Sequence, residues 1–273
     1  MASRMSPQES RPESRRHKIW KNGKIAYYYD QANASFWDNH WEKLITRDYY
    51  KRYEDGDLDE YLFFEEYLRK EDFILEAGCG TAQYVVALRS RGFKNIEGID
   101  WGSQTISRVK AIYPDLPIKI GDVAKIETGN NYFDGYISLG VVEHRKEGPQ
   151  PYLAEAFRVI KPGGYAFISV PYINALRCLK SRLGFYGKIV NTNMLFYQYA
   201  FSKSEFQNLL EKAGFETMEA HGIAGLFCLR EELPFLFFLL DRMPGGWRVQ
   251  QYMGKFNWIN NWGHMILFVC KKR

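Results

Sequence analysis

The sequence predicts an α/β fold: a doubly wound, mostly parallel seven-stranded sheet with a helical, aromatic-rich substrate cap. Three observations carry that prediction. From residue 73 onward, short apolar runs alternate with segments of helical period, a pattern that builds a parallel sheet with helices on both faces. The first run breaks into glycines and then into a helix, Ile74-Leu-Glu-Ala-Gly-Cys-Gly-Thr-Ala82. Two long segments, 171–201 and 222–263, interrupt the alternation after strands whose carboxyl ends should lie together, where open α/β sheets bind ligands.

The elements follow in order. Phe73–Ala77 reads as a buried strand. Residues 82–91 carry Val85, Val86 and Leu88 and stop at Gly92, the signature of a helix with a glycine end. Asn95–Asp100 is a second strand, and Ser103–Ile112 a helix closed by Pro114. Pro117–Ile120, Phe133–Leu139 and Gly164–Val170 read as three more strands, with a helix over Pro151–Ile160. Ser202-Lys-Ser-Glu205 has capping-box spacing and opens a helix to Ala213. Phe215–His221 and His264–Cys270 complete the sheet. The 25–72 segment, with Tyr27, Tyr28, Tyr29, Phe36, Trp37 and Trp41, is expected to form helices at the sheet's edge. Residues 25–273 read as a single domain, and residues 1–24 as a disordered basic tail.

Composition narrows the class. With 46% hydrophobic and 25% charged residues the chain is an ordinary globular one, apart from its 16% aromatic content. Cys79, Cys178, Cys228 and Cys270 stand far apart with no CxxC pair, which argues against a disulfide framework and fits a reducing cytoplasm. Residues 1–24 carry a net +5, residues 25–171 a net −6 and residues 172–273 a net +6. A nucleic-acid binder would spread its positive charge over the body, so no nucleic acid is expected as partner. The longest apolar run, Leu233–Leu240, is too short to span a bilayer.

The glycine loop is the strongest chemical feature. Gly78 and Gly80, with Cys79 between them, permit close backbone approach to a ligand beside the exposed N–H groups of a helix start. Asp100, twenty residues after Gly80 at the end of the next strand, can accept hydrogen bonds from ribose hydroxyls. A dinucleotide loop would place a small residue where Gln83 stands, and Glu76 suits a cationic ligand better than a pyrophosphate. A nicotinamide dehydrogenase is therefore disfavoured.

With these residues the chain resembles the class I S-adenosylmethionine-dependent methyltransferases, a Rossmann-like family whose first motif reads roughly E-x-G-C-G-T-G. Ala82 stands where the last glycine is usual. The resemblance implies S-adenosyl-L-methionine as cofactor. It also assigns Asp100 to ribose, Trp101 to the adenine face, and Asp122 with Val123 to the adenine edge. Leu139, at the end of the Phe133–Leu139 strand, would approach the methionine part, and Arg158-Val-Ile-Lys-Pro-Gly-Gly164 is similar to the family's turn into its fifth strand. The alternative of a non-catalytic subunit of the same fold is disfavoured by the intact glycine loop, Asp100 and Asp122.

Methyl transfer from a sulfonium requires alignment above all, and a base only when the acceptor loses a proton. His144, just past the fourth strand, is the candidate base, and Glu143 its orienting partner or a contact for a cationic substrate. No metal is expected, since two adjacent residues supply too few ligands. Ile173–Val190 carries Arg177, Lys180, Arg182 and Lys188 without an acid. With the Leu233–Leu240 run it suggests a small or lipid-linked acceptor, glycan or isoprenoid in kind, methylated at oxygen, and peripheral contact with an anionic membrane.

Overall fold

A computed structural model describes residues 16–29, 41–42, 44–187, 193–253 and 262–273. Phe36, Trp37, Lys188, Val190 and residues 1–15 of the tail lie outside these. The described chain divides into two compact units, one formed by 33–169, 207–219 and 268–273, the other by 1–32, 170–206 and 220–267.

The first unit opens with α1 (Arg47–Glu54) and α2 (Tyr61–Tyr67), which lead into β3 (Ile74–Ala77), α3 (Gln83–Ser90) and β4 (Ile96–Asp100). Strands β1 (Arg16–Lys21) and β2 (Lys24–Tyr29) precede them and belong to the second unit. There follow α4 (Ser103–Ile112), β5 (Ile118–Ile120), β6 (Phe133–Leu139), α5 (Gln150–Val159) and β7 (Ile160–Pro171). Strands β9 (Phe215–Ile223) and β10 (Met265–Lys272) complete a seven-stranded sheet of order β5-β4-β3-β6-β7-β10-β9. The pairings β3–β4, β3–β6, β4–β5 and β6–β7 are all parallel. Every residue of β3 is buried, as expected of a strand covered on both faces. Because β4 and β5 lie to one side of β3, and β6 and β7 to the other, the chain reverses its winding between β3 and β6. The crevice at such a switch point, outside the carboxyl ends of the strands, is where these sheets take ligands.

The second unit holds β1 (Arg16–Lys21), β2 (Lys24–Tyr29) and β8 (Leu195–Ala200), an antiparallel sheet of order β1-β2-β8. It also holds α6 (Ala175–Arg182), α8 (Gly225–Glu232), α9 (Pro234–Arg242) and α10 (Gly246–Met253). Helix α7 (Lys203–Lys212) begins in this unit. Its first turn confirms half of the capping box: Ser202 Oγ accepts from Glu205 N at 3.3 Å. The Glu205 carboxylate instead meets Lys24 at 3.2 Å. The unit's core packs Ile25, Tyr27, Ile173, Tyr186 and Ala200 together.

This arrangement corrects three expectations. Residues 16–24 are a strand and a turn, because Asn22 and Gly23 both adopt positive φ (51° and 79°) and close a tight hairpin, the backbone that a two-residue turn of this kind requires. For the same reason the 25–72 segment is not helical throughout: Tyr27, Tyr28 and Tyr29 lie in β2, and helices begin only later. The chain from 25 on is two compact units rather than one, since β8 pairs with β2 and draws the first insertion to the N-terminal hairpin.

The basic segment is also not a cationic face throughout. Arg177 is 0% exposed. Its guanidinium donates to Glu231 Oε2 at 2.7 Å and Glu232 Oε1 at 3.1 Å, and to the carbonyls of Tyr172 and His264 at 2.8 and 3.1 Å. Lys180 meets Glu232 at 2.6 Å and Lys18 meets the same carboxyl group at 2.7 Å. Arg177 and Lys180 are thus paired inside the unit with acids that follow 52 to 55 residues later in the chain.

Candidate active site

The candidate site belongs to the first unit. The chain leaves β3 through Gly78, whose φ of +80° favours glycine. A Cβ there would lie 2.5 Å from Val141 Cγ2, so the loop after β6 packs directly on the glycine loop. Gly78 N and Cys79 N both donate to Ile99 O, at 2.8 and 2.9 Å, which stitches the loop to β4. Cys79 is buried against Gly98, where a Cβ would come within 3.0 Å of its Sγ. Burial pushes the Cys79 thiol well up, so this cysteine packs and does not react. Ala82 takes the left-handed conformation, φ 56°, so the alanine holds a backbone shape more usual for the glycine it replaces.

Asp100 binds the loop from the neighbouring strand. Its Oδ2 accepts from Gly80 N at 2.9 Å and its Oδ1 from Gly102 N at 2.8 Å. Trp101 is 65% exposed. Its indole therefore stands outside the core. Glu76 is buried, and its Oε2 accepts from Val85 N at 3.1 Å. Desolvation raises its pKa well above the ordinary carboxylate value. Asp122 Oδ1 accepts from Ala124 N at 2.8 Å, an Asx turn on an exposed loop, with Val123 half-buried beside it.

Past Leu139, which is half-buried at the end of β6, a short 3₁₀ turn Val142–His144 carries the candidate proton-handling pair. His144 Nε2 lies 3.8 Å from Glu143 Oε1, and 19% of the His144 side chain is exposed against 2% for Glu143. Glu143 Oε2 is buried with no hydrogen-bond partner among the described residues. Desolvation pushes its pKa up to about 8.

Sequence reasoning missed the groups that brace the loop from the other side. The Tyr50 hydroxyl donates to Thr81 O at 2.7 Å, and Tyr49 OH bonds Thr81 Oγ1 at 3.1 Å and also Gln83 Oε1. The Trp41 ring lies 3.4 Å from where a Gly80 Cβ would sit. The close-set N-terminal aromatics were the available signal, but Tyr27 and Tyr29 are buried within the second unit, so the ring found at the glycine loop is Trp41.

The fit to a nucleoside sulfonium can be tested on these atoms. The glycine cradle is tight, an acid that binds the glycine loop ends β4, an exposed indole follows it, and a buried unpaired carboxyl oxygen lies past β6. A cation near Glu143 would relieve its desolvation, and nothing in the loop repels positive charge. The residues fit the group.

Residues 75–168 match the family model of a methyltransferase domain. A Mycolicibacterium smegmatis protein named "Probable S-adenosylmethionine-dependent methyltransferase" is 30% identical over 151 residues, covering 55% of this chain and 54% of that protein. The chain thus spans about half the length of that relative. Among solved structures, an S-adenosylmethionine-dependent methyltransferase from Methanosarcina mazei aligns with TM-score 0.55 at 18% identity, over 79% of this chain and 99% of that one. The cyclase SpnF aligns with TM-score 0.53 at 19% identity, over 78% of each chain. At these identities the likeness is one of fold, and a cyclase that shares the fold shows that it also serves other chemistry.

Proposed function

The chain carries a domain of the class I S-adenosylmethionine-dependent methyltransferase family, and from that premise we propose that it methylates an oxygen of a small or lipid-linked acceptor. Bound in the crevice between β3 and β6, S-adenosyl-L-methionine supplies an activated methyl group. The protein's part is to hold the cofactor, align the acceptor and exclude water, and such positioning can supply roughly 7–11 kcal/mol. Asp100 and the Gly78–Gly80 loop hold the nucleoside, and Trp101 covers its base. Asp122 and Val123 serve the adenine edge, and Leu139 the methionine side.

The observation that carries the acceptor chemistry is the pair past β6. His144 is partly exposed, and its imidazole can act as a general base toward a hydroxyl held beside it. It takes the proton from the acceptor hydroxyl as the oxygen attacks. Glu143, buried beside it with one unpaired oxygen, orients the ring. An amphiphilic acceptor would be met at the cytoplasmic face of a membrane.

Two measurements test this reading. Calorimetry should show S-adenosylhomocysteine binding, weakened at least tenfold by Asp100→Ala, since charged hydrogen bonds of this type contribute roughly 1.5–3 kcal/mol each. His144→Ala should lower turnover by roughly 10²–10⁴ with cofactor affinity retained. Tight NAD binding with no response to S-adenosylhomocysteine would overturn the cofactor assignment, and a loss of only a few fold in His144→Ala would reduce His144 to a structural residue.

A further inference from the structure

Helix α9 is apolar almost all the way round, Pro234-Phe-Leu-Phe-Phe-Leu-Leu240, yet only Phe237 is buried. Phe235 is 72% exposed, and Leu236, Phe238 and Leu239 are exposed with it. A helix of this composition normally lies inside a protein, and contiguous exposed apolar surface marks an interaction site. Helix α10 extends the surface. It is tied to α9 through Gln250 Nε2 and Asp241 Oδ1 at 2.8 Å, and it exposes Trp247 at 63%.

The charges around these rings identify the occupant. Between Leu233 and Met253 the only acid is Asp241, and Arg230 pairs with it at 2.6 Å. Arg242 lies 3.4 Å over the Phe238 ring, and Arg248 lies 5.2 Å over that of Trp247. Neither arginine has an ion-pair partner among the described residues. An aromatic ring with a guanidinium laid on it suits a bilayer surface, where the ring meets acyl chains and the guanidinium a lipid phosphate. No described helix is long and apolar enough to cross a membrane.

We propose that α9 and α10 form a docking surface for an anionic lipid bilayer, with Phe235, Phe238, Leu239 and Trp247 entering the acyl boundary and Arg242 and Arg248 at the phosphates. The proposal rests on the amphiphilic-acceptor reading for its purpose but not for its test. It also moves the contact away from α6, where Arg177 and Lys180 are paired with Glu231 and Glu232.

The test uses the full chain with vesicles of phosphatidylcholine alone or mixed equally with phosphatidylglycerol, without cofactor or acceptor. Co-sedimentation should occur with the anionic vesicles and fade as salt rises. Phe235→Ser with Trp247→Ser should weaken it at least tenfold while the melting temperature and S-adenosylhomocysteine affinity hold, since both side chains are exposed. Arg242→Gln with Arg248→Gln should remove the preference for anionic over neutral vesicles. The N-terminal basic segment is common to all these proteins, so its contribution cancels. Equal sedimentation of the serine variant and the wild type would overturn the proposal. So would a concentration-dependent dimer, lost in that variant, with no vesicle binding, which would assign the surface to a second copy. Vesicle binding without methylation of any amphiphile would leave the docking surface standing and reject the acceptor reading instead.

Discussion

Replacing Arg177 by Met tests whether the buried charge cluster organises the second unit. Methionine keeps much of the side-chain volume, so the change removes charge and hydrogen bonds more than packing. In the native structure the guanidinium satisfies Glu231, Glu232 and the carbonyls of Tyr172 and His264, all within 3.1 Å. Without it Glu232 keeps both Lys18 and Lys180, but Glu231 keeps only Lys18, at 3.2 Å, and His264. Removing one partner of a buried pair costs about 3–5 kcal/mol. The surviving lysines place this case near the lower end, and the two orphaned carbonyls add about 1 kcal/mol each, for a total of about 5 kcal/mol. At roughly 2–4 °C per kcal/mol for chains approaching this size, the transition of that unit should fall by at least 10 °C in differential scanning calorimetry. Two compact units need not melt together, so S-adenosylhomocysteine binding at 20 °C should persist. A melting temperature within 1 °C of the wild type would refute the reasoning and mean that the acids and lysines close the cluster unaided.

Three further outcomes are expected. Lys18 and the other surrounding cations hold Glu232 down to about 2 against the desolvation that opposes them, so its stabilisation is present above pH 4.5 and is lost as pH falls toward 2; urea titrations of Glu232→Gln should show a shallower decline over that window. Glu143 has the opposite sign: with its pKa raised to about 8 by burial, ionisation penalises the folded state increasingly from pH 4.5 to 8. Glu143→Gln should therefore match wild-type stability at pH 4 and exceed it at pH 9, and a pH-independent difference in melting temperature would contradict this. Gly78→Ala should destabilise by about 2 kcal/mol or more and abolish measurable S-adenosylhomocysteine binding, because the methyl meets Val141 at 2.5 Å on a left-handed backbone; adding Val141→Ala should recover only the steric part.

What could be read without coordinates was local. The strand–helix alternation, the glycine turn after Ala77 and the acid at Asp100 depend on periodicity and on spacing within some twenty residues. The Asn22-Gly23 hairpin was equally legible, since that dipeptide forms a tight turn almost anywhere, but the basic residues around it drew the reading toward a disordered tail. Tertiary structure decided the rest. Arg177, Lys180 and Arg182 look alike in sequence, yet Arg177 is buried among acids and carbonyls supplied by residues as far as 87 positions away, while Arg182 is exposed. The same holds for the apolar run at 233–240: its composition announces burial, and only the packing of α8, α9 and α10 leaves most of it facing solvent. Charge and apolarity belong to each residue, but desolvation depends on which distant segments close over it, and no local pattern encodes that.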